Sequence, residues 1–188
     1  FNNTTSYSLT GDGIGGASTL TKSGTGTLTL TNDNTFTGAT TISGGTLHIG
    51  DGTTGSISGA STITNDGTLE LDLANGSNFA NLVANNGTMN IEGSGSLTLS
   101  GGITGNGVLN INSSGVITST AGGVSLPNII NVNSGTLRLN NSSVAGNRMT
   151  GNGVVTVESG ATLEIATAHG LGGYPGNSEA VVLNGGTL

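Results

Sequence analysis

Along most of this chain the aliphatic residues alternate with polar ones instead of clustering. A five-residue pattern of glycine, small residue, aliphatic, any residue, aliphatic opens at Gly26-Thr27-Leu28-Thr29-Leu30 and returns at Gly45, Gly67, Gly87, Gly107, Gly135 and Gly153. Another copy begins at Gly186-Thr187-Leu188. Successive leading glycines lie 19, 22, 20, 20, 28, 18 and 33 residues apart. Apolar residues at every second position mark a strand with one buried face. A five-residue strand recurring about every 20 residues, with turn residues and one or two shorter alternating segments between, is the signature of a solenoid with three strands per turn. Leu97 and Leu99, Ile42, Ile63, and Ile129, Ile130 and Val132 are assigned to those other strands.

The pattern predicts an all-β fold, a right-handed parallel β-helix of about eight or nine rungs of roughly 20 residues each, stacked ~4.8 Å apart around one aliphatic column. Residues 1–188 form a single segment of such a helix, read as a piece of something longer. The longer intervals point to loop insertions at 118–128, 142–149 and 168–179. Each leading glycine is expected to supply corner φ angles that few other residues adopt. The residue between the two aliphatics faces outward, so Thr29, His48, Glu70, Asn90, Asn110, Arg138 and Thr156 should form one surface column. Beside it should run Thr31, Gly50, Asp72, Glu92, Asn112, Asn140 and Glu158, and on the other flank a threonine ladder of Thr27, Thr46, Thr68, Thr88 and Thr136.

Composition strengthens this reading. Gly, Thr, Asn and Ser number 36, 30, 23 and 21 of 188 residues, and only 7% are charged. Gly costs about 1 kcal/mol per helical position, and Thr, Asn and Ser favour caps, turns and strands, so a helical bundle is excluded. Disordered chains are poor in apolar residues, whereas 32% here are hydrophobic. The absence of cysteine removes disulfides and thiolate metal sites. Three basic residues, Lys22, Arg138 and Arg148, against a net charge of −7 cannot neutralise a phosphate backbone, which argues against nucleic acid as a partner. No apolar run is long enough to cross a bilayer as a helix, so this segment is not expected to insert into a membrane.

From Lys22 to Gly50 the resemblance to a known family becomes specific. The stretch holds the glycine-led strand Gly26 to Leu30, the Asn-Thr-aromatic-Thr-Gly motif at Asn34 to Gly38, Thr-Thr-Ile at Thr40 to Ile42, and Gly-Thr-Leu at Gly45 to Leu47. It closely resembles the passenger-associated repeat of autotransporter proteins, the type V secreted proteins of Gram-negative bacteria. A weaker likeness to the same family lies in Leu171-Gly172-Gly173 and in Val182 to Leu188. The resemblance implies a β-helical passenger exported through a C-terminal outer-membrane barrel and displayed at the cell surface or released. Many relatives serve adhesion, autoaggregation or biofilm formation through contacts with their own kind or with host and surface glycans or proteins.

Candidate chemistry is sparse. Glu70, Asp72 and Glu92 should cluster, and such carboxylates could take Ca²⁺, which binds several oxygens, or act as the acid and base of polysaccharide cleavage. Their simplest role is to keep a nearly uncharged rod soluble. Gly11 to Gly16 has dinucleotide-motif spacing, yet no helix pattern follows it, so it reads as a turn. His48 and His169 are far apart in sequence, and His48 reads as a solvated member of its column. Tyr174, in the last insertion, is a loop aromatic of the kind that anchors contacts. The expectation is a non-enzymatic surface stalk without a cofactor. A polysaccharide-degrading or polysaccharide-binding β-helix and a trimeric, tailspike-like fibre are the alternatives.

Overall fold

The computed structural model describes residues 1–120, 125–126, 129–140, 148–149, 153–166 and 180–188. It is an all-β parallel solenoid. Nine parallel strands build the first face: Tyr7–Leu9, Thr27–Leu30, Thr46–Gly50, Thr68–Asp72, Thr88–Ile91, Val108–Ile111, Ile129–Val132, Val154–Glu158 and Ala180–Asn184. The second strand of each turn lies in a pair, Asp33–Asn34 and Ser56–Ile57, or in a five-stranded sheet running from Ser77–Phe79 to Thr162–Ile165. The third lies in a five-stranded sheet from Leu20–Lys22 to Ile103–Thr104, or in the pair Ser125–Leu126 and Arg148–Met149.

Among the described residues about six turns carry a strand on all three faces. The expected eight or nine rungs exceed this slightly and match the first face alone, whose first strand and last two have, among the described residues, no strand beside them on one or both of the other faces. The insertion at 118–128 contains the end of strand Val116–Ser119 and the third-face strand Ser125–Leu126, so part of it belongs to the regular coil. Of the insertion at 142–149, only the strand Arg148–Met149 is described, and the insertion at 168–179, with Tyr174, lies outside the described residues.

Register explains the core. Leu28, Leu47, Leu69, Met89, Leu109, Ile130 and Val155 stand directly above one another, and all are fully buried. A second interior column runs from Leu30 through Ile49, Leu71, Ile91, Ile111 and Val132 to Val157. Each such side chain contributes about 1.5–3 kcal/mol on burial, which is how a chain with 3% aromatics sustains a core.

Two expectations require correction. Ile129, Ile130 and Val132 belong to the first face, paired between Val108–Ile111 and Val154–Glu158. The Gly135-led copy lies on the second face, between Val116–Ser119 and Thr162–Ile165. Measured along the interior column the steps are therefore 21 residues from Leu109 to Ile130 and 25 from Ile130 to Val155. Four of the six leading glycines from Gly26 to Gly135 are needed for a different reason than φ. Of those from Gly26 to Gly135, only Gly45 and Gly135 have positive φ. At Gly87 a Cβ would lie 2.1 Å from the Gly67 carbonyl oxygen, and at Gly107 2.3 Å from that of Gly87. Close approach of stacked corners demands glycine there.

Polar side chains also occupy the interior at the corner between third and first faces. Asn65 Nδ2 donates to Asn85 Oδ1 at 2.7 Å and to the Thr88 carbonyl at 2.8 Å, and Asn85 Nδ2 reaches the Val108 carbonyl at 3.0 Å. One rung before Ile42, the equivalent position holds Lys22, wholly buried, its ammonium donating to the carbonyls of Gly24 and Gly44. Burial lowers the Lys22 pKa below 10.5. The unfolded chain therefore binds a proton that the folded chain releases sooner, and the Lys22 contribution to stability rises as pH climbs through the folded value towards 10.5. Urea midpoints measured from neutral pH to 10.5 should rise more for the native chain than for Lys22→Met. Parallel curves would show that Lys22 titrates normally.

Candidate functional site: the polar columns of the first face

The outward positions of the first face are in register and bonded along the rod. In the central column His48 Nδ1 lies 3.1 Å from Glu70 Oε2. Asn90 Nδ2 points to Glu70 Oε1 at 3.5 Å, Asn110 Nδ2 donates to Asn90 Oδ1 at 2.8 Å, and Asn131 Nδ2 donates to Asn110 Oδ1 at 2.8 Å. Beside it Asn112 Nδ2 donates to Glu92 Oε1 at 2.8 Å and Asn133 Nδ2 to Asn112 Oδ1 at 2.7 Å. Further along, Asn184 Nδ2 donates to Glu158 Oε2 at 2.6 Å.

All these amides donate towards the N-terminal rung, and each run ends on a carboxylate. This polarity has a physical reason. An amide stack in which every oxygen accepts from the next rung leaves one N–H donor over at its leading end, and an ionised carboxylate is the strongest available acceptor for it. Glu70 and Glu92 fill that role. Asn110 is the central link of the longer run. Asn110→Ala leaves the Asn131 donor and the Asn90 acceptor without each other's bridge, and about 1 kcal/mol of stability should be lost. Chemical denaturation checks this, and an unchanged midpoint would show that water replaces the link at no cost.

Sequence reasoning placed His48, Glu70, Asn90, Asn110 and Thr156 correctly in one column, and Asp72, Glu92, Asn112 and Glu158 in the next. Arg138 and Asn140 do not belong there: Asn131 and Asn133 take those places. The missed signal was legible, since Val108-Leu109-Asn110-Ile111-Asn112 and Ile129-Ile130-Asn131-Val132-Asn133 share one pattern. Arg138 instead stands on the second face, its Nε 2.9 Å from Glu164 Oε2, with both side chains about 40% exposed. Such a surface pair contributes at most ~1 kcal/mol. Thr27, Thr46, Thr68 and Thr88 are aligned and half-buried, whereas Thr136 pairs with Val116 and Thr162 on the second face. The first-face row continues as Val108, Ile129 and Val154.

His48 is not a freely solvated side chain, being only 25% exposed and paired with Glu70. Glu70, Asp72 and Glu92 do not converge on one point: Glu70 turns to His48 and Glu92 to Asn112. Among the described residues no group of three or more His, Asp or Glu is placed to hold a metal ion. Near this edge Asp51 closes a turn, its carboxylate held far below its usual range by the Thr53 hydroxyl and the backbone N–H groups of Thr54 and Thr53. The Gly11 to Gly16 segment runs as bends and a turn.

A stacked, self-bonded surface of this kind displays a periodic framework, and one stretch near its start matches a known family. Residues 20–49, from Leu20 on the third face to Ile49 on the first, match the family described as passenger-associated-transport-repeat. This chain carries a passenger-associated transport repeat. The matched residues span one complete circuit of the solenoid plus the next first-face strand, and they include the buried Lys22 and the interior Leu28, Leu30, Phe36, Ile42 and Leu47. The repeat and the parallel solenoid together fit an autotransporter passenger. No curated protein and no solved structure matches the chain.

Proposed function

We propose that this chain is a non-enzymatic stalk segment of an autotransporter passenger, displayed at the bacterial surface or released, which supports adhesion, autoaggregation or biofilm formation. The transport repeat within a continuous solenoid carries the reading. The stalk role is further supported by the first face, where the acidic and amide groups are spent on one another along the rod. A row of mutually satisfied groups stiffens and registers a rod. It does not aim an acid and a base at one bond.

Displaying the full protein on a non-aggregating bacterium should cause settling or attachment to surfaces beyond the bare strain. Neither behaviour appearing would remove the adhesive role and leave a spacer. Incubation with a panel of polysaccharides should produce no new reducing ends. Cleavage abolished by Glu70→Gln would overturn the non-enzymatic reading.

A further inference from the structure

On the second face, unlike the first, outward hydrogen-bond donors are left over. Asn78, Thr98, Thr118, Arg138 and Glu164 stand in one column. Arg138 is held at its Nε by Glu164, 2.9 Å away on the C-terminal side, and its two Nη groups have no partner among the described residues. The Thr98 and Thr118 hydroxyls, on its N-terminal side, have none there either. In the flanking column Ser96 Oγ accepts from the Val116 N–H at 3.3 Å, which leaves its own proton to donate elsewhere. The first-face amides, by contrast, are bonded to one another along the rod.

These unspent groups share one depression. A groove of about 240 Å³ lies between the two columns, lined by Ser96, Thr98, Thr118 and Arg138, with half-buried Val116 as an apolar wall. At its N-terminal end stands Gly76, where a Cβ would meet nothing within 4 Å, so the groove opens to solvent there. Three rung steps of ~4.8 Å from Gly76 to Arg138, and two residues of ~3.3 Å between the columns, make it about 14 Å long and about 7 Å wide.

We propose that this groove binds an extended, uncharged saccharide chain, whose hydroxyl oxygens accept from the Arg138 Nη groups and exchange hydrogen bonds with Thr118, Thr98 and Ser96. The inference rests on the adhesive reading above and names the chemistry it meets. Hydroxyls that donate and accept, beside a guanidinium that only donates, call for a ligand rich in oxygen acceptors that carries donors of its own. Val116 suits the C–H face of a sugar ring, since small-ligand sites combine apolar walls with a few placed polar groups. The Glu164 pair orients the planar guanidinium before a ligand arrives, which lowers the ordering cost of binding. Charge selects among saccharides. Glu164 balances Arg138, and a net charge of −7 repels polyanions. Size excludes a protein partner: a strip of roughly 100 Å² falls far below the ~800 Å² per side of a stable protein complex. A narrow, unbranched chain laid along the rod fits it.

Affinity electrophoresis of the whole chain through gels containing dextran, laminarin or mannan, with polygalacturonate and alginate as acidic comparisons, provides the test. At least one neutral polymer should retard the native chain. Thr98→Val and Thr118→Val keep side-chain shape and remove only the hydroxyl, and each should weaken the retardation about five-fold. Arg138→Leu should weaken it about thirty-fold, and Thr64→Val on the third face should leave it unchanged. Urea midpoints within error of the native chain show that a weakened variant is still folded. No retardation by any neutral polymer, or retardation that survives both Thr118→Val and Arg138→Leu, would overturn the groove as a saccharide site. Retardation by the acidic polymers alone would overturn the uncharged class. Attachment of displaying cells is read separately. Cells that attach while the chain ignores every polymer would sink the groove and keep the adhesive reading, whereas retardation without attachment would sink the adhesive reading and keep the groove.

Discussion

Leu69→Ala is expected to cost about 2–5 kcal/mol of unfolding free energy, as for other fully buried aliphatics of the interior columns. Leu69 is fully buried, with Leu47 below and Met89 above it in one column. Removing its isobutyl group leaves a void that neither neighbour can fill, since each is pinned by its own parallel backbone ladder. The transfer loss and the cavity loss therefore add. In a solenoid each rung is stabilised only by the rungs beside it, so the damage should spread to both interfaces of the strand Thr68–Asp72. Equilibrium denaturation followed by far-ultraviolet circular dichroism would show a lowered midpoint, and a second, earlier transition if the rod parts at this rung. A loss below ~1 kcal/mol would mean that the column can collapse, against the packing described.

Gly87→Ala should lower stability as well, by about 1–3 kcal/mol, although the same exchange at an unstrained site usually stabilises by ~0.4–1 kcal/mol. The sign follows from geometry. Gly87 is absent from the positive-φ glycines, so alanine meets no backbone strain there. Its Cβ, however, would lie 2.1 Å from the Gly67 carbonyl oxygen, a backbone atom that cannot rotate aside. The Thr88 N–H donates to that carbonyl at 2.9 Å, so opening the gap stretches a rung-to-rung hydrogen bond. Chemical denaturation of the single variant decides the matter. A stabilised Gly87→Ala protein would show that the stacked corners part to admit a methyl group, against the close approach described.

These two residues show how differently parts of the molecule could be read in advance. Leu69 was assigned inward from alternation alone, because a strand's side-chain period of two admits only two faces, and one of them must be dry. Gly87 was correctly assigned to a corner for a conformational reason that the structure replaces with a steric one. Sequence carries the identity of a residue but not the distance to a carbonyl one rung away. The transport repeat was legible because its motif is local, contained within residues 20–49. The misassignment of Arg138, Thr136 and Asn140 arose because glycine-led strands occur on two faces. Gly115 leads Val116–Ser119, and Gly135 leads Thr136–Leu139, directly above it.

The polar columns were partly visible in the same way. That Glu70 and Asn90 share a column follows from a single step of 20 residues. That His48 binds Glu70, and that the amides all donate in one direction, depends on side-chain torsions set by the rungs on either side. Proximity of Glu70, Asp72 and Glu92 in the pattern suggested a shared acidic site. In the folded rod each glutamate instead serves its own run, because the nearest unsatisfied donor lies along the column and not across it.

Sequence alone thus determined the strand, the turn residue and the approximate rung, since each depends on a few adjacent residues and on a period that copies itself along the chain. Tertiary structure alone decided which of three similar faces each strand joins. That choice is made by stacking on the rung before it, and an insertion or an unmarked strand such as Ile129–Val132 shifts the count without altering any local signal. It also decided that the polar columns of the first face are spent on themselves, a property of residues about 20 apart and of no single segment.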